Sequence, residues 1–315
     1  MPTIGIVVGN GLAIDYCQTH SDSHLLPDPS DPFQWEFGVP DDSALNWQQA
    51  FPLLRQTIDG IGFGVNSFEA FASLLAEVQL RNPNDSVRLD AEARQFLVFA
   101  YSAFQQEIDR IGVAEWRWRR WIGEHASDIA GAVSFNYDRL FESAANSVGL
   151  HLPSFAVRSG SQGCFFLKPH GSIDFECDPC AISMPPSRYP LVNWATLNDV
   201  PLIALAPNAL RQPRQEAFVV LPTETSPYLG YQWVAPGYER WRGIAGNLTH
   251  CILIGLSYWR CDREEIDFLI DALAPGSTVI IANPQPPDEL VARILASGRH
   301  CIEWRNGPQN FGDVA

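Results

Sequence analysis

Four short strings hold the residue types that chemistry at a sugar or phosphate would need. They are Gly9-Asn10-Gly11, Asn136-Tyr137-Asp138, His170-Gly171 and Gly255-Leu256-Ser257. A histidine is the side chain whose ordinary titration range lets it take or give a proton near neutrality. An asparagine amide offers a donor and an acceptor together, so it can hold a water or a hydroxyl group. Glycines in a turn allow a phosphate to approach the backbone, and a following helix N-terminus favours its negative charge. Each string alone has a plainer reading: a tight turn, a hydrogen-bonded structural histidine, or an Asp capping a helix, as Asp138 could. Their joint occurrence, in this order, points to a ligand site.

Those strings need a scaffold that delivers them to one edge. Strand-like runs are Ile4–Val8, Ile129–Phe135, Cys164–Leu167, Ala217–Leu221, Cys251–Gly255, Thr278–Ala282 and Cys301–Trp304. Helical segments alternate with them, beginning near Leu12, Asp138, Tyr238, Asp262 and Asp288. Alternation of this kind predicts an α/β fold, a Rossmann-like parallel sheet covered on both faces. Each of the four strings follows a strand, and ligands of open α/β sheets bind at the carboxyl ends of the strands.

Between the first βα turn and residue 126 the pattern is different. Ser21 to Asp42 is polar and Pro-rich and reads as loop; from about Asn46 to His125 the signal is helical. Asn66 and Glu69 have capping-box spacing, and Phe96, Phe99, Ala100 and Phe104 recur at helical intervals. The expected organisation is a core of residues 1–19 and 126–315 with an inserted helical lobe, residues 20–125.

Composition narrows the partners. The 315 residues carry 21 basic and 36 acidic side chains, a formal charge of -15, and 20 of the bases are Arg. That balance disfavours binding to duplex nucleic acid or to an anionic membrane surface. No apolar run approaches the ~18 residues of a membrane span. No basic leader precedes the first strand, and the seven cysteines lack disulfide spacing, so a reducing cytoplasm is expected. Lys168, the one lysine, stands two residues before His170 and is expected to face solvent. Trp116-Arg117-Trp118-Arg119-Arg120-Trp121 is a basic-aromatic cluster for which packing or an oligomer interface is expected over single-stranded nucleic acid.

Taken together, Val8-Gly9-Asn10-Gly11-Leu12, Ser134-Phe135-Asn136-Tyr137-Asp138-Arg139, Lys168-Pro169-His170-Gly171-Ser172, Ile254-Gly255-Leu256-Ser257 with Asp262, and Asn283-Pro284 resemble the sirtuin-like superfamily. Its bacterial branch of phage-defence NAD hydrolases and abortive-infection proteins is the most similar. The resemblance spans about 200 residues and omits the helical lobe. It implies a sirtuin-like NAD-binding fold that cleaves the nicotinamide–ribose bond of NAD, its substrate. Asn136 and His170 would be catalytic, and Gly9, Asn10, Gly11, Asp138, Gly255, Ser257 and Asn283 would contact the dinucleotide. The implied role is an NADase acting in antiviral defence by depleting NAD. The implied assembly is a homo-oligomer with a protein partner or activator. The alternative is a subunit that senses NAD or an ADP-ribose derivative without cleaving it. Zinc is disfavoured: Cys177-Asp178-Pro179-Cys180 supplies one Cys-x-x-Cys pair, but the next cysteine is Cys251 in an expected core strand. No metal is needed for the chemistry, and the missing second pair argues against lysine deacylation.

Overall fold

The computed structural model describes residues 2–19, 26–39, 42–61, 70–71, 73–75, 77, 83–157, 163–178, 201–212, 214, 216–221 and 230–311. Six strands form the main sheet: β1 (Ile4–Val8), β4 (Ile129–Ser134), β5 (Phe165–Leu167), β8 (His250–Ile254), β9 (Thr278–Ala282) and β10 (His300–Trp304); β2 (Gly38–Val39) pairs antiparallel with β3 (Asp42–Asn46), and β6 (Phe175–Cys177) with β7 (Leu202–Ala204), outside it. Their order is β10-β9-β8-β1-β4-β5, and every neighbouring pair is parallel. Renumbered within the sheet, that is 6-5-4-1-2-3, the doubly wound Rossmann order, whose switch point lies beside the first strand.

The sequence dictates this arrangement through burial on both faces. Ile4, Ile6 and Val8 of β1 enter one apolar cluster and Val7 enters the other. Strand β8 divides the same way, Ile252 and Ile254 against Cys251 and Leu253. Side chains alternate across a strand, so a strand covered on both faces reads as a continuous apolar run. That is why these strands stand out in the sequence.

One face is covered by α7 (Val234–Ala245), α8 (Arg263–Asp271) and α9 (Asp288–Ala296), through Trp241, Leu269 and Ile294 among others. The other is covered by α1 (Gly11–Thr19), α4 (Pro83–Ile111), α5 (Arg117–His125) and α6 (Leu140–Ser147), with the short helices α2 (Trp47–Ala50) and α3 (Pro52–Ile61) adding Trp47, Leu54 and Ile58 to the same cluster. Phe96, Phe99 and Phe104 of α4 lie in the same apolar cluster as Ile4, Ile6 and Val8. The Asn66–Glu69 capping box lies outside the described residues.

Two expectations change. Ala217–Leu221 is not a strand of the sheet. It is buried, and Val219 bridges Gly171 in isolation, while the Val220 amide donates to the His170 carbonyl at 2.9 Å. An apolar run of that length reports burial, not ladder pairing. Helix α6 begins at Leu140 rather than Asp138, and α7 begins at Val234, one turn before Tyr238.

The tryptophans of the Trp-Arg cluster are core, while Arg120 is exposed. Trp116, Trp118 and Trp121 are all buried. Trp116 Nε1 donates to Asp15 at 3.0 Å, and Trp121 Nε1 donates to the Gln309 carbonyl at 3.1 Å. The Trp121 ring also meets Trp304 of β10 edge-on at 5.9 Å. Arg117 pairs with Asp15. Trp121 therefore staples α5 to the last strand and the chain beyond it. Trp121→Ala is expected to lower unfolding stability by about 3–5 kcal/mol in urea denaturation; a loss below about 1 kcal/mol would contradict this packing role.

Candidate active site

The cleft opens at the carboxyl edge of the sheet, with a volume of about 890 Å³. Gly9, Asn10 and Gly11 line it after β1, Asn136 and Asp138 after β4, His170 after β5, Gly255 and Ser257 after β8, and Asn283 after β9. The nine residues singled out from the sequence thus share one concavity, because parallel strands present all their C-terminal ends on one side. Asp15, Asp28, Asp31, Tyr101, Arg117, Trp118 and Asp262 also line it.

The two glycine turns fit each other. A Cβ on Gly11 would lie 2.5 Å from Gly255 Cα, and Gly255 itself has φ +62°. The Gly11 amide donates to the Gly255 carbonyl at 2.9 Å, and the Gly9 amide to the Ile254 carbonyl at 2.8 Å. Leu12 and Ala13 donate to the carbonyls of Gly9 and Asn10. These first amides of α1 are therefore committed to the turn. The glycines clear space for the close approach of the two turns. Asn10 is committed as well, its Nδ2 donating to the Pro29 carbonyl at 2.9 Å and drawing the 28–31 segment over the cleft. Asn283 Nδ2 donates to the Leu256 carbonyl at 3.1 Å, and its Oδ1 accepts from the Gln285 amide.

The β4 loop presents the opposite picture. Asn136 is buried and its Nδ2 has no partner. Asp138 Oδ1 accepts from the Leu140 amide at 2.9 Å, the capping contact, while Oδ2 has no partner. Burial lifts the Asp138 carboxyl from its usual 3.8 to about 6, against the pull of Lys168. A buried donor and a buried acceptor, both unsatisfied and both lining a cleft, form a site for a ligand that supplies the missing bonds.

Beneath them lies Lys168, which corrects the expectation that it faces solvent. It is 1% exposed. Its Nζ donates to the Asp138 carbonyl at 2.5 Å and to Glu142 Oε1 of α6 at 2.8 Å. Buried charge demands a partner, and Glu142 supplies it one helical turn beyond Asp138. The ammonium thus ties the loop carrying His170 to the loop carrying Asn136.

His170 is held from three sides. The next residue, Gly171, has φ +78°, and a Cβ there would fall 1.9 Å from the Phe218 carbonyl oxygen, so only glycine permits this turn. The Phe135 ring meets the imidazole at 4.9 Å. Nε2 lies 2.7 Å from Glu265 Oε2 and 4.0 Å from Asp262 Oδ1. Burial opposes the charged imidazolium, but Glu265 and then Asp262 outweigh it, so the pKa lies above the ordinary value. Burial, reinforced by Glu265, lifts the Asp262 carboxyl. Among the described residues His170, Asp262 and Glu265 are the group with metal-ligand spacing, within 4.8 Å of one another, yet both Glu265 oxygens already accept hydrogen bonds. Cys177 is buried in β6 (Phe175–Cys177), whereas Cys180 lies outside the described residues.

No family model matches this chain, and no curated protein sequence matches it. Among solved structures, one reported for the mechanism and regulation of Sir2 enzymes is similar over 97% of this chain and 88% of its own, at 14% identity and a TM-score of 0.34. A Sir2 homologue–NAD complex covers 96% and 83%, at 12% identity and a TM-score of 0.34. A Sir2 homologue mutant bound to ADP-ribose covers 93% and 92%, at 13% identity and a TM-score of 0.31. Similarities of that size carry no weight here; the fold rests on the strand order and the site on its own geometry.

The Lys168–Glu142 pair yields a direct expectation. Lys168→Met leaves Glu142 buried without its counter-charge and is expected to cost about 3–5 kcal/mol in urea unfolding, part of which returns when Glu142→Leu is added. A single-mutant loss under about 1 kcal/mol would show that the tie is not needed.

Proposed function

We propose that this protein is an NAD glycohydrolase that releases nicotinamide from NAD, with Asn136 and His170 as catalytic residues. The observation that carries the reading is the pair of unsatisfied buried atoms, Asn136 Nδ2 and Asp138 Oδ2, in the cleft that also holds His170. An amide donor with a nearby acceptor suits a ribose hydroxyl, an attacking water or a carboxamide.

The electrostatics support the same chemistry. Cleavage of an N-glycosidic bond to a cationic leaving group builds positive charge on the ribose. Such a transition state is favoured by fixed negative charge and oriented dipoles, with no need of a strong acid. The cleft is lined by Asp15, Asp28, Asp31, Asp138 and Asp262, with Arg117 the arginine among them, and that arginine is paired to Asp15. Asn136 would orient the water or ribose, and His170, in its neutral form, would accept the proton. Ser257, Gly9, Gly11, Gly255, Asn10 and Asn283 would border the phosphates and the adenosine ribose. The role in anti-phage defence and the activating partner rest on the sequence resemblance, the homo-oligomer on the inserted helical lobe, and the cytoplasmic setting on cysteines that lack disulfide spacing.

Nicotinamide release from NAD, followed chromatographically at several protein concentrations, tests the reading. Asn136→Ala and His170→Ala are each expected to lower the rate by about 10²-fold or more. A wild-type rate no greater than that of the variants would overturn hydrolysis. Saturable NAD binding in calorimetry, with the ligand recovered intact, would then establish the sensing alternative.

A further inference from the structure

Helix α8 places two carboxylates on one side, Asp262 at its N-cap and Glu265 three residues on. Glu265 shares its helix face with Ile266, Leu269 and Ile270 and is fully buried, an unusual place for a carboxylate. Neither of its oxygens is idle. Oε1 accepts from the hydroxyl of Tyr238 in α7, and Oε2 lies 2.7 Å from His170 Nε2. The three side chains form a line that runs from the α7–α8 layer through the end of the sheet to the cleft.

We propose that Glu265, anchored by Tyr238, is the positioning residue of His170: it accepts a hydrogen bond from Nε2–H and so leaves Nδ1 as the imidazole's proton acceptor in the cleft. An ionised carboxylate only accepts hydrogen bonds, so Nε2 must be the donor and the neutral ring must carry its lone pair on Nδ1. Nδ1 makes no hydrogen bond among the described residues, and His170 lines the cleft. A base oriented by a third group is a recurring device, since fixing the tautomer and stabilising the imidazolium both lower the cost of proton transfer. The inference rests on the proposed hydrolysis for its purpose, but its geometry stands without it.

The groups facing the imidazole are Glu265 from α8, Asp262 at the α8 N-cap and the uncharged ring of Phe135 after β4. Tyr238 from α7 acts through Glu265, and Cys261 hydrogen-bonds Asp262. Asp262 is the more distant carboxylate and remains when Glu265 is neutralised. Glu265 holds the charged imidazole, so His170 stays protonated to higher pH than a free histidine, and base activity rises as pH climbs through that midpoint. Removing the charge at 265 moves the midpoint down.

The test uses the full chain with ¹⁵N-labelled histidine and follows the imidazole tautomer and titration by NMR, the His170 signals being assigned by their loss in His170→Gln. The wild type is expected to show the Nε2–H tautomer and a midpoint above that of free histidine. Glu265→Gln is expected to lower the midpoint by about 1 unit or more. In nicotinamide release, Glu265→Gln should cut kcat by about 10²-fold with KM little changed, and should shift the acid limb of the pH profile downward. An Nδ1–H tautomer in the wild type would overturn the proposal, and that measurement needs no variant to fold. So would an unmoved midpoint in Glu265→Gln. If the tautomer and midpoint are as expected but no nicotinamide appears, the positioning role stands and the hydrolase reading is the one that fails.

Discussion

One buried ammonium connects the two loops on which the cleft depends. Lys168 leaves β5 with its side chain turned inward, away from water, and must find negative charge and carbonyl oxygens. It finds the Glu142 carboxylate and the carbonyl of Asp138. The cost of desolvating a lysine is high, so the pair tolerates little relative movement of β5 and the β4 loop. His170 is two residues downstream of the lysine, and Asn136 two residues upstream of the carbonyl it binds. Their separation is therefore set by a charge–charge contact below them rather than by contact with each other.

Above that tie the cleft is lined by Asp15, Asp28, Asp31, Asp138 and Asp262. The amides at the start of α1 close their own turn and the turn after β8. Asn10 and Asn283 hold backbone carbonyls. Among the described residues that line the cleft, the buried side-chain atoms without a partner are Asn136 Nδ2, Asp138 Oδ2 and Trp304 Nε1. Two of these three atoms lie together in the loop after β4. A chain with a formal charge of -15 carries its acidic bias into its own concavity.

The apolar strands were legible because burial on both faces removes polar residues from the run, as in β8 and β9. Ala217–Leu221 carries the same signal for another reason: it backs the His170–Gly171 turn and needs burial without a ladder. The Trp116–Trp121 cluster reads as packing because indoles on a short helix are apolar enough to demand burial, although its partners, Asp15, Trp304 and Gln309, come from both ends of the chain. Glu265 left a faint trace, a carboxylate on an apolar helix stripe, but a stripe does not say which side chain meets it.

The sequence by itself determined the alternation of strands and helices, and with it the edge to which Gly9, Asn136, His170 and Gly255 are delivered, because parallel strands all end on one side. Only the tertiary structure decided which groups are free to act. Whether the Gly9 amide is spent on a neighbouring turn, whether Lys168 faces water or Glu142, and which carboxylate reaches His170 all depend on contacts between residues far apart in sequence, 26 positions for Lys168 and Glu142 and 95 for His170 and Glu265. Local patterning constrains a side chain's face, but hydrogen-bond partnership is fixed by packing of elements that meet only when the fold closes.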